Sequence, residues 1–399
     1  MRLHFSPSIA VGAVTAPPSK SAAHRALLAA SFAQGESRIT GISDSGDMKA
    51  TMDSLASLGA RFYREKDAVR VCGIKRSPDV IPVLNCRESG STLRFLIPYA
   101  LTLGKEVTFT GTERLFERNL EIYEEICREK GFLFEKKAES LTVKGALCGG
   151  DFALRGDISS QFFTGLLFAL PLLDQPSRIT FTTPPESASY LDLTVGVLAS
   201  FGVTVKKEEN GFSVPAPQRF RPRDFAVEGD WSNAAFPEAF SQIGGKVSVT
   251  GLKEESLQGD KVYRKLFPMI RKGSCTIDLA DCPDLAPVLF AMSSLFYGAE
   301  FLNTRRLSIK ESDRAAAMKE ELEKCGAHVK VEENRVIVEK GKMHAPEEAL
   351  SSHNDHRIAM ALSLVLSRFG GDLDGAECVR KSYPDYWDVI RRLGIKVNE

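Results

Sequence analysis

Six stretches of the chain are apolar on nearly every side at helical length: Ala22–Phe32, Thr92–Leu103, Phe162–Leu173, Ala234–Ile243, Leu285–Tyr297 and Ile358–Phe369. A helix with no polar face is a buried one. Each stretch opens on a short polar cluster: Lys20-Ser21, Ser89-Gly90, Ser160-Gln161, Ser232-Asn233, Asp284 and Asn354-Asp355. The clusters recur about every 70 residues, with one shorter interval before Asp284, and such regularity marks repeated architecture.

A second pattern lies between them. Met52–Leu58 is amphipathic, stops at Gly59, and runs into alternating stretches Ala60–Tyr63 and Val69–Cys72. Leu193–Phe201 stops at Gly202 and continues as Val203–Lys207 and Phe212–Val214, and Ala315–Cys325 stops at Gly326 and continues as His328–Glu332 and Arg335–Glu339. Leu120–Lys130 with Gly131 and Tyr386–Leu393 with Gly394 fit as well, and Val262–Lys272 with Gly273 is a degraded copy. A Gly just past a helix is the left-handed stop, and Glu-Asn or Asn-Gly between alternating runs signals a hairpin.

The repeating unit is therefore buried helix, strand, surface helix, strand, strand. Six units predict an α/β chain of two similar domains, three units each, with an internal pseudo-threefold. The Pro-rich stretch Pro215–Arg223 marks the boundary, and the first strand, Arg2–Phe5, is expected to pair in the C-terminal domain. The expected domains are residues 19–228, and residues 1–18 with 229–399. A single large sheet is the alternative, and the repeated hairpins disfavour it.

Composition narrows the function classes. Lys plus Arg equals Asp plus Glu, 52 each, so no global field recruits nucleic acid or membrane, and anion selectivity must come from local placement. Eight scattered Cys show no closely spaced metal-ligand pair, which points to free thiols and no metal site. With no apolar leader and no run long enough to span a bilayer, the expectation is a cytoplasmic protein.

The chemistry concentrates at the helix starts, where unpaired N–H groups and the positive dipole end favour anions. Lys20, Ser21 and Arg25 surround the first, with Ser21 as cap; the Gly-rich run of a P-loop is absent. Ser159, Ser160 and Gln161 offer hydroxyls and an amide to neutral or phosphorylated oxygens. Lys310-Glu311-Ser312-Asp313-Arg314 places ionisable groups at a strand-to-helix junction, with Ser312 as cap. Arg357 enters an apolar helix, which is costly unless it meets an anion. Repulsion among Lys20, Arg25, Arg94, Arg118, Lys310, Arg314, Arg357 and Lys381 suggests a cleft that closes around polyanions.

Lys20-Ser21 with Arg25, Ser89-Gly90-Ser91-Thr92-Leu93-Arg94, Ser159-Ser160-Gln161-Phe162, Lys310-Glu311-Ser312-Asp313-Arg314 and Asn354-Asp355-His356-Arg357 together resemble the 5-enolpyruvylshikimate-3-phosphate synthases, over essentially the whole chain. The resemblance implies two domains of three βαβαββ units, inverse α/β barrel-like, with the active site in the interdomain cleft. It implies that shikimate 3-phosphate meets Lys20, Ser21, Arg25, Ser159, Ser160, Gln161, Ser187, Asp284 and Lys310. Phosphoenolpyruvate would meet Lys20, Gly90, Arg118, Gln161, Arg314, Arg357 and Lys381. Asp284 is the implied base, with Lys20 and Glu311 as candidates for proton transfer. No cofactor or metal is expected, nor a nucleic-acid or membrane partner, and the chain is expected to be a monomer.

Several positions depart from that family's pattern: Gly46-Asp47 replaces a pair of acids, Asn119 and Phe95 stand where Pro is usual, and Arg306 stands where Asn is common. The sister enzymes acting on UDP-N-acetylglucosamine resemble this family in fold but carry Asn after the first Lys and typically a Cys in the loop before the counterpart of Arg118. Here Ser21 follows Lys20, and Thr110–Asn119 contains no Cys. A non-catalytic binder of phosphorylated metabolites is the remaining alternative; it would not need Asp284 and Glu311 together.

Overall fold

The computed structural model describes residues 1–399 as an α/β chain with mixed sheets. It divides into two compact units, Lys20–Val227, and Met1–Ser19 with Glu228–Glu399.

Within Lys20–Val227 the apolar stretches form helices Lys20–Phe32, Gly90–Thr102 and Ser160–Ala169, whose side chains are buried almost throughout and fill one core. Three four-stranded sheets surround them. Leu84–Arg87, Val107–Gly111, Ser140–Lys144 and Leu133–Lys136 lie side by side in that order, the first pair parallel and the rest antiparallel. Gly150–Arg155, Ser177–Thr183, Gly211–Val214 and Lys206–Glu208 repeat the order. Phe225–Ala226, Glu36–Thr40, Ala68–Cys72 and Arg61–Arg64 repeat it again, the last strand of the segment standing first in its sheet. Gly211 is required in its hairpin: it sits at φ 147, and an added Cβ would lie 1.8 Å from the Ile179 carbonyl oxygen.

In the other unit the buried helices are Trp231–Ala239, Ala286–Leu295 and His356–Phe369. Cys275–Asp278, Ala299–Leu302, Arg335–Glu339 and His328–Glu332 form a sheet of the same order. Two sheets use the start of the chain. Arg2–Ser6 lies between Gly371–Asp374 and Lys396–Asn398, and Val11–Thr15 pairs in parallel with Lys246–Thr250 as a two-stranded sheet.

The expected hairpin is thus missing after two of the six surface helices. Tyr263–Lys272 leads to the single strand Cys275–Asp278, which belongs to the following sheet, and Tyr386–Arg392 leads to Lys396–Asn398 alone. Strands from the N-terminus cover the edges that would otherwise stand open. Gly273 reflects the same irregularity: Gly131 takes the left-handed φ of 68 that a helix stop requires, whereas Gly273 is extended at φ 169. Two buried helices also end early, their last turns tightening into 3-10 geometry at Leu170–Leu172 and Phe240–Ile243. No helix is long and apolar enough to cross a membrane, and all eight cysteines are free.

Candidate active site

Five of the six helix starts lie earlier than the apolar pattern suggests, and this changes which side chains cap them. Lys20 is already helical, so Ser21 sits inside the first turn rather than capping it, and its carbonyl accepts a bond from Arg25 Nη1 at 2.8 Å. Ser89 and Ser159 cap the next two helices, accepting from the Thr92 and Gln161 amides at 3.2 and 3.3 Å. Asp230 caps the Trp231 helix by accepting from the Asn233 amide at 2.8 Å, placing Ser232 within it. Asp313, not Ser312, caps the Arg314 helix.

In Lys20–Val227 the cations rest mostly on neutral oxygens. Arg25 is buried, donating to Thr194 Oγ1 at 2.8 Å, Thr164 Oγ1 at 3.2 Å and the Tyr190 carbonyl at 3.3 Å, with its guanidinium 5.2 Å from the Phe95 ring centre. Burial pushes its pKa down to about 10. Arg94 donates to Gln161 Oε1 at 2.7 Å and the Asn119 carbonyl at 2.9 Å, and Gln161 Nε2 reaches Ser91 Oγ at 3.0 Å. Lys20 Nζ lies 2.9 Å from Asp47 Oδ2, so the acid retained in the Gly46-Asp47 pair serves the lysine. Arg118 packs over Gly90 so closely that a Cβ there would meet Nη1 at 2.5 Å, and its buried Nε has no partner. Only Gly can occupy this position without displacing the guanidinium. Ser187, buried at the start of the Ala188–Ser200 helix, holds a left-handed φ of 57, unusual for a non-Gly residue and common at functional sites.

In the other unit Arg314, Arg357 and Lys310 are locked to carboxylates. Arg314 is 1% exposed and donates Nη1 to Asp284 Oδ1 at 2.7 Å, Nη2 to Glu311 Oε2 at 2.7 Å and Nε to Asp355 Oδ2 at 2.8 Å. Burial opposes its charge, but Asp355, Glu311 and Asp284 outweigh burial and hold the guanidinium protonated. Arg357 Nη2 lies 3.2 Å from Asp284 Oδ2, and Nη1 donates to Ser232 Oγ at 2.6 Å. Lys310 Nζ stands 3.3 Å from Asp284 Oδ1. Burial raises the Asp284 pKa, yet Arg357, Lys310 and Arg314 together overcome burial and keep it well below the usual carboxylate range. Burial is the larger influence on Lys310 and lowers it to about 8, with Asp284 opposing and Arg314 and Arg306 assisting. Lys381 Nζ donates to the Asn354 carbonyl at 2.6 Å, and His353 and Asn354 are both left-handed, at φ 48 and 54.

The predicted residues thus fall into two groups, one in each unit. Lys20, Ser21, Arg25, Gly90, Arg118, Ser159, Ser160, Gln161 and Ser187 belong to the first unit; Asp284, Lys310, Glu311, Arg314, Arg357 and Lys381 to the second. The expected bare repulsion among the cations is offset inside the chain, by Asp47 in one unit and by Asp284, Glu311 and Asp355 in the other. Asp355, fully buried, was not among the predicted site residues; its signal was its place two residues before Arg357, whose amide it caps at 2.9 Å. Thr164, Thr194 and Tyr190 gave none, because each reaches Arg25 only through the fold. Glu320, Glu321 and His353 bring donor atoms within 4.8 Å of one another, as a metal site would. Lys324 Nζ already occupies that ground, 2.9 Å from Glu321 and 3.3 Å from Glu320.

Helix mouths carrying this density of oriented cations suit small molecules with phosphate and carboxylate groups. A family model described as EPSP synthase (3-phosphoshikimate 1-carboxyvinyltransferase) matches residues 7–390. The chain belongs to that family. It is 41% identical to the 3-phosphoshikimate 1-carboxyvinyltransferase of Clostridium kluyveri, over 99% of this chain and 98% of that one. The enzyme of the same name from Clostridioides difficile is 37% identical, over 100% and 98%. Among solved structures, EPSP synthase from Acinetobacter baumannii superposes over the full length of both chains with a TM-score of 0.77 at 22% identity. The enolpyruvyl transferase NikO from Streptomyces tendae does so with a TM-score of 0.79 at 13% identity, covering 100% of this chain and 98% of that one. Those two likenesses speak to the fold.

Proposed function

We propose that this chain transfers the enolpyruvyl group of phosphoenolpyruvate to the 5-hydroxyl of shikimate 3-phosphate, releasing phosphate, as a step of aromatic biosynthesis in the cytoplasm. In this reading each compact unit is one enolpyruvyl transferase domain with three βαβαββ units around a pseudo-threefold, and the chain acts as a monomer without cofactor or metal. Family membership over residues 7–390 supports it, and one observation carries the chemistry: a carboxylate, Asp284, gripped by Arg314, Arg357 and Lys310 at a buried helix mouth.

The reaction needs a base for the attacking hydroxyl, an acid for the enol carbon, and cations for phosphate and carboxylate. Lys20, Ser21, Arg25, Ser159, Ser160, Gln161, Ser187, Asp284 and Lys310 would hold shikimate 3-phosphate. Lys20, Gly90, Arg118, Gln161, Arg314, Arg357 and Lys381 would hold phosphoenolpyruvate. Protonation of the enol at C3 accompanies attack of the hydroxyl oxygen on C2, giving a tetrahedral phosphate ketal; loss of phosphate and of a C3 proton then gives the enol ether. Asp284 is the base in this scheme. Its three cation contacts make it a weak base as it stands, and anionic substrates that draw Arg314, Arg357 and Lys310 onto themselves would restore its basicity. Glu311, bonded to Arg314, and Lys20, bonded to Asp47, are the candidates for proton exchange with the enol in this scheme.

The purified chain should release phosphate from phosphoenolpyruvate only when shikimate 3-phosphate is present. Release with UDP-N-acetylglucosamine instead would assign it to the sister activity, and binding of both substrates without release would make it a phosphometabolite binder.

A further inference from the structure

Inside Lys20–Val227 runs a hydrogen-bonded chain that the reaction scheme does not use. His24 Nδ1 lies 2.7 Å from Thr51 Oγ1, Thr51 Oγ1 lies 2.7 Å from Thr92 Oγ1, and Thr92 Oγ1 donates to Ser89 Oγ at 2.7 Å. His24, Thr51 and Thr92 come from three helices, Ser89 caps the last of them, and none of the four is more than 1% exposed. Buried hydroxyls have one hydrogen each, so the whole chain can be assigned. Thr92 gives its hydrogen to Ser89; the Thr51–Thr92 bond must then be donated by Thr51, and the His24–Thr51 bond by Nδ1–H. His24 is neutral, its pKa driven well below the usual histidine range by burial first and by Lys20 and Arg25 next. Its one proton is therefore on Nδ1, and Nε2, buried without a partner, carries only a lone pair. That is the cheaper orphan, since a buried N–H with no acceptor loses a full hydrogen bond.

The direction has a consequence at the far end. Ser89 Oγ accepts from both Thr92 Oγ1 and the Thr92 amide, which fills its lone pairs and leaves its own hydrogen as the open donor of the chain. Ser89 directly precedes Gly90, over which the Arg118 guanidinium packs with a partnerless, buried Nε. A buried cation without a counter-charge beside the positive end of a helix is an independent sign that an anion belongs there.

We propose that the His24–Thr51–Thr92–Ser89 chain is a positioning relay that presents the Ser89 hydroxyl as a donor to an anionic group of phosphoenolpyruvate beside Gly90 and Arg118. This rests on the reading that the Gly90 helix mouth receives phosphoenolpyruvate. His24 and Thr51 act through Ser89 and touch no substrate; their part is to fix which way the bonds run, in a setting where aligned bonds strengthen one another.

Steady-state kinetics of Thr51→Val, Thr51→Ser and the unaltered chain provide the test, together with nitrogen-15 NMR of His24. Loss of one aligned neutral bond corresponds to roughly a 3- to 10-fold rise in the KM for phosphoenolpyruvate in Thr51→Val. The KM for shikimate 3-phosphate should stay unchanged, and Thr51→Ser should restore the unaltered value. In the unaltered chain the NMR spectrum should show the neutral Nδ1–H tautomer of His24. A Thr51→Val variant with an unchanged phosphoenolpyruvate KM, an equal rise in both KM values, or an Nε2–H tautomer would overturn the relay. Absence of turnover in the unaltered chain would instead overturn the proposed function, while the tautomer measurement would still decide the direction of the bonds.

Discussion

The two units arm their helix mouths in opposite ways. In Lys20–Val227, Arg25 and Arg94 donate to hydroxyl, amide and carbonyl oxygens, Arg118 Nε has no partner, and Asp47 pairs with Lys20. In the other unit Arg314, Arg357 and Lys310 converge on Asp284, with Glu311 and Asp355 completing the set around Arg314. At the first unit's mouths Arg25 and Arg118 meet no carboxylate. The second is neutralised from within, so an anion binding there has to compete with carboxylates already in place. Under the proposed function, cations without a carboxylate partner would add affinity, while a carboxylate held by cations would be released when those cations turn to substrate.

The comparison breaks first at Asp284. Asp284→Ala should keep binding shikimate 3-phosphate but lose about 10²–10⁴-fold in turnover, the range associated with a missing general base. Titration of the variant with that substrate, alongside single-turnover kinetics, separates the two effects; near-normal turnover would remove Asp284 as the base. Next in size is a stability contrast. Arg314→Ala removes the shared partner of three carboxylates, of which Asp284 keeps Lys310 and Arg357 while Asp355 is fully buried, and should cost about 3–5 kcal/mol in urea unfolding. Arg118→Ala removes a buried cation that has no carboxylate partner, so it should change stability by no more than about 1 kcal/mol while raising the KM for phosphoenolpyruvate about 10- to 100-fold. If the two arginines proved equally costly to stability, the distinction between the units would fail.

Much of this was legible in the sequence because buried helices leave a strong signal. His328–Glu332 and Arg335–Glu339 form strands at the bounds their alternation predicts, and the six apolar stretches are six buried helices. Caps were harder: Lys20 and Trp231 are helical although the apolar run begins later, because a polar first turn carries no hydrophobic period. The missing hairpins after Lys272 and Arg392 were not legible from local pattern, since strands from the opposite end of the chain cover those edges. Candidate cations were visible as residue types beside helix starts. Their partners were not: Asp355, Thr164 and Thr194 acquire their roles only from tertiary placement.

The smallest expected effect is a pH dependence, and its sign follows from Lys310. Its pKa is lowered from 10.5 to about 8 by burial, with Arg314 and Arg306 adding to the fall against the pull of Asp284. A lysine whose folded pKa lies below its unfolded one binds fewer protons when folded, so between about 8 and 10.5 this group makes stability rise with pH, the reverse of a salt-bridged lysine. Binding runs the other way. If Lys310 holds an oxygen of shikimate 3-phosphate, that KM should climb as pH passes about 8 and the ammonium is lost. The KM for phosphoenolpyruvate, assigned to arginines and other lysines, should follow it only weakly over the same interval. Lys310→Arg keeps its charge throughout and should flatten the shikimate 3-phosphate profile, whereas Arg306→Asn removes a neighbouring cation and should move the midpoint upward. A profile indifferent to both substitutions would place the titration elsewhere, and would mean that the carboxylate-rich mouth holds Lys310 for Asp284 alone.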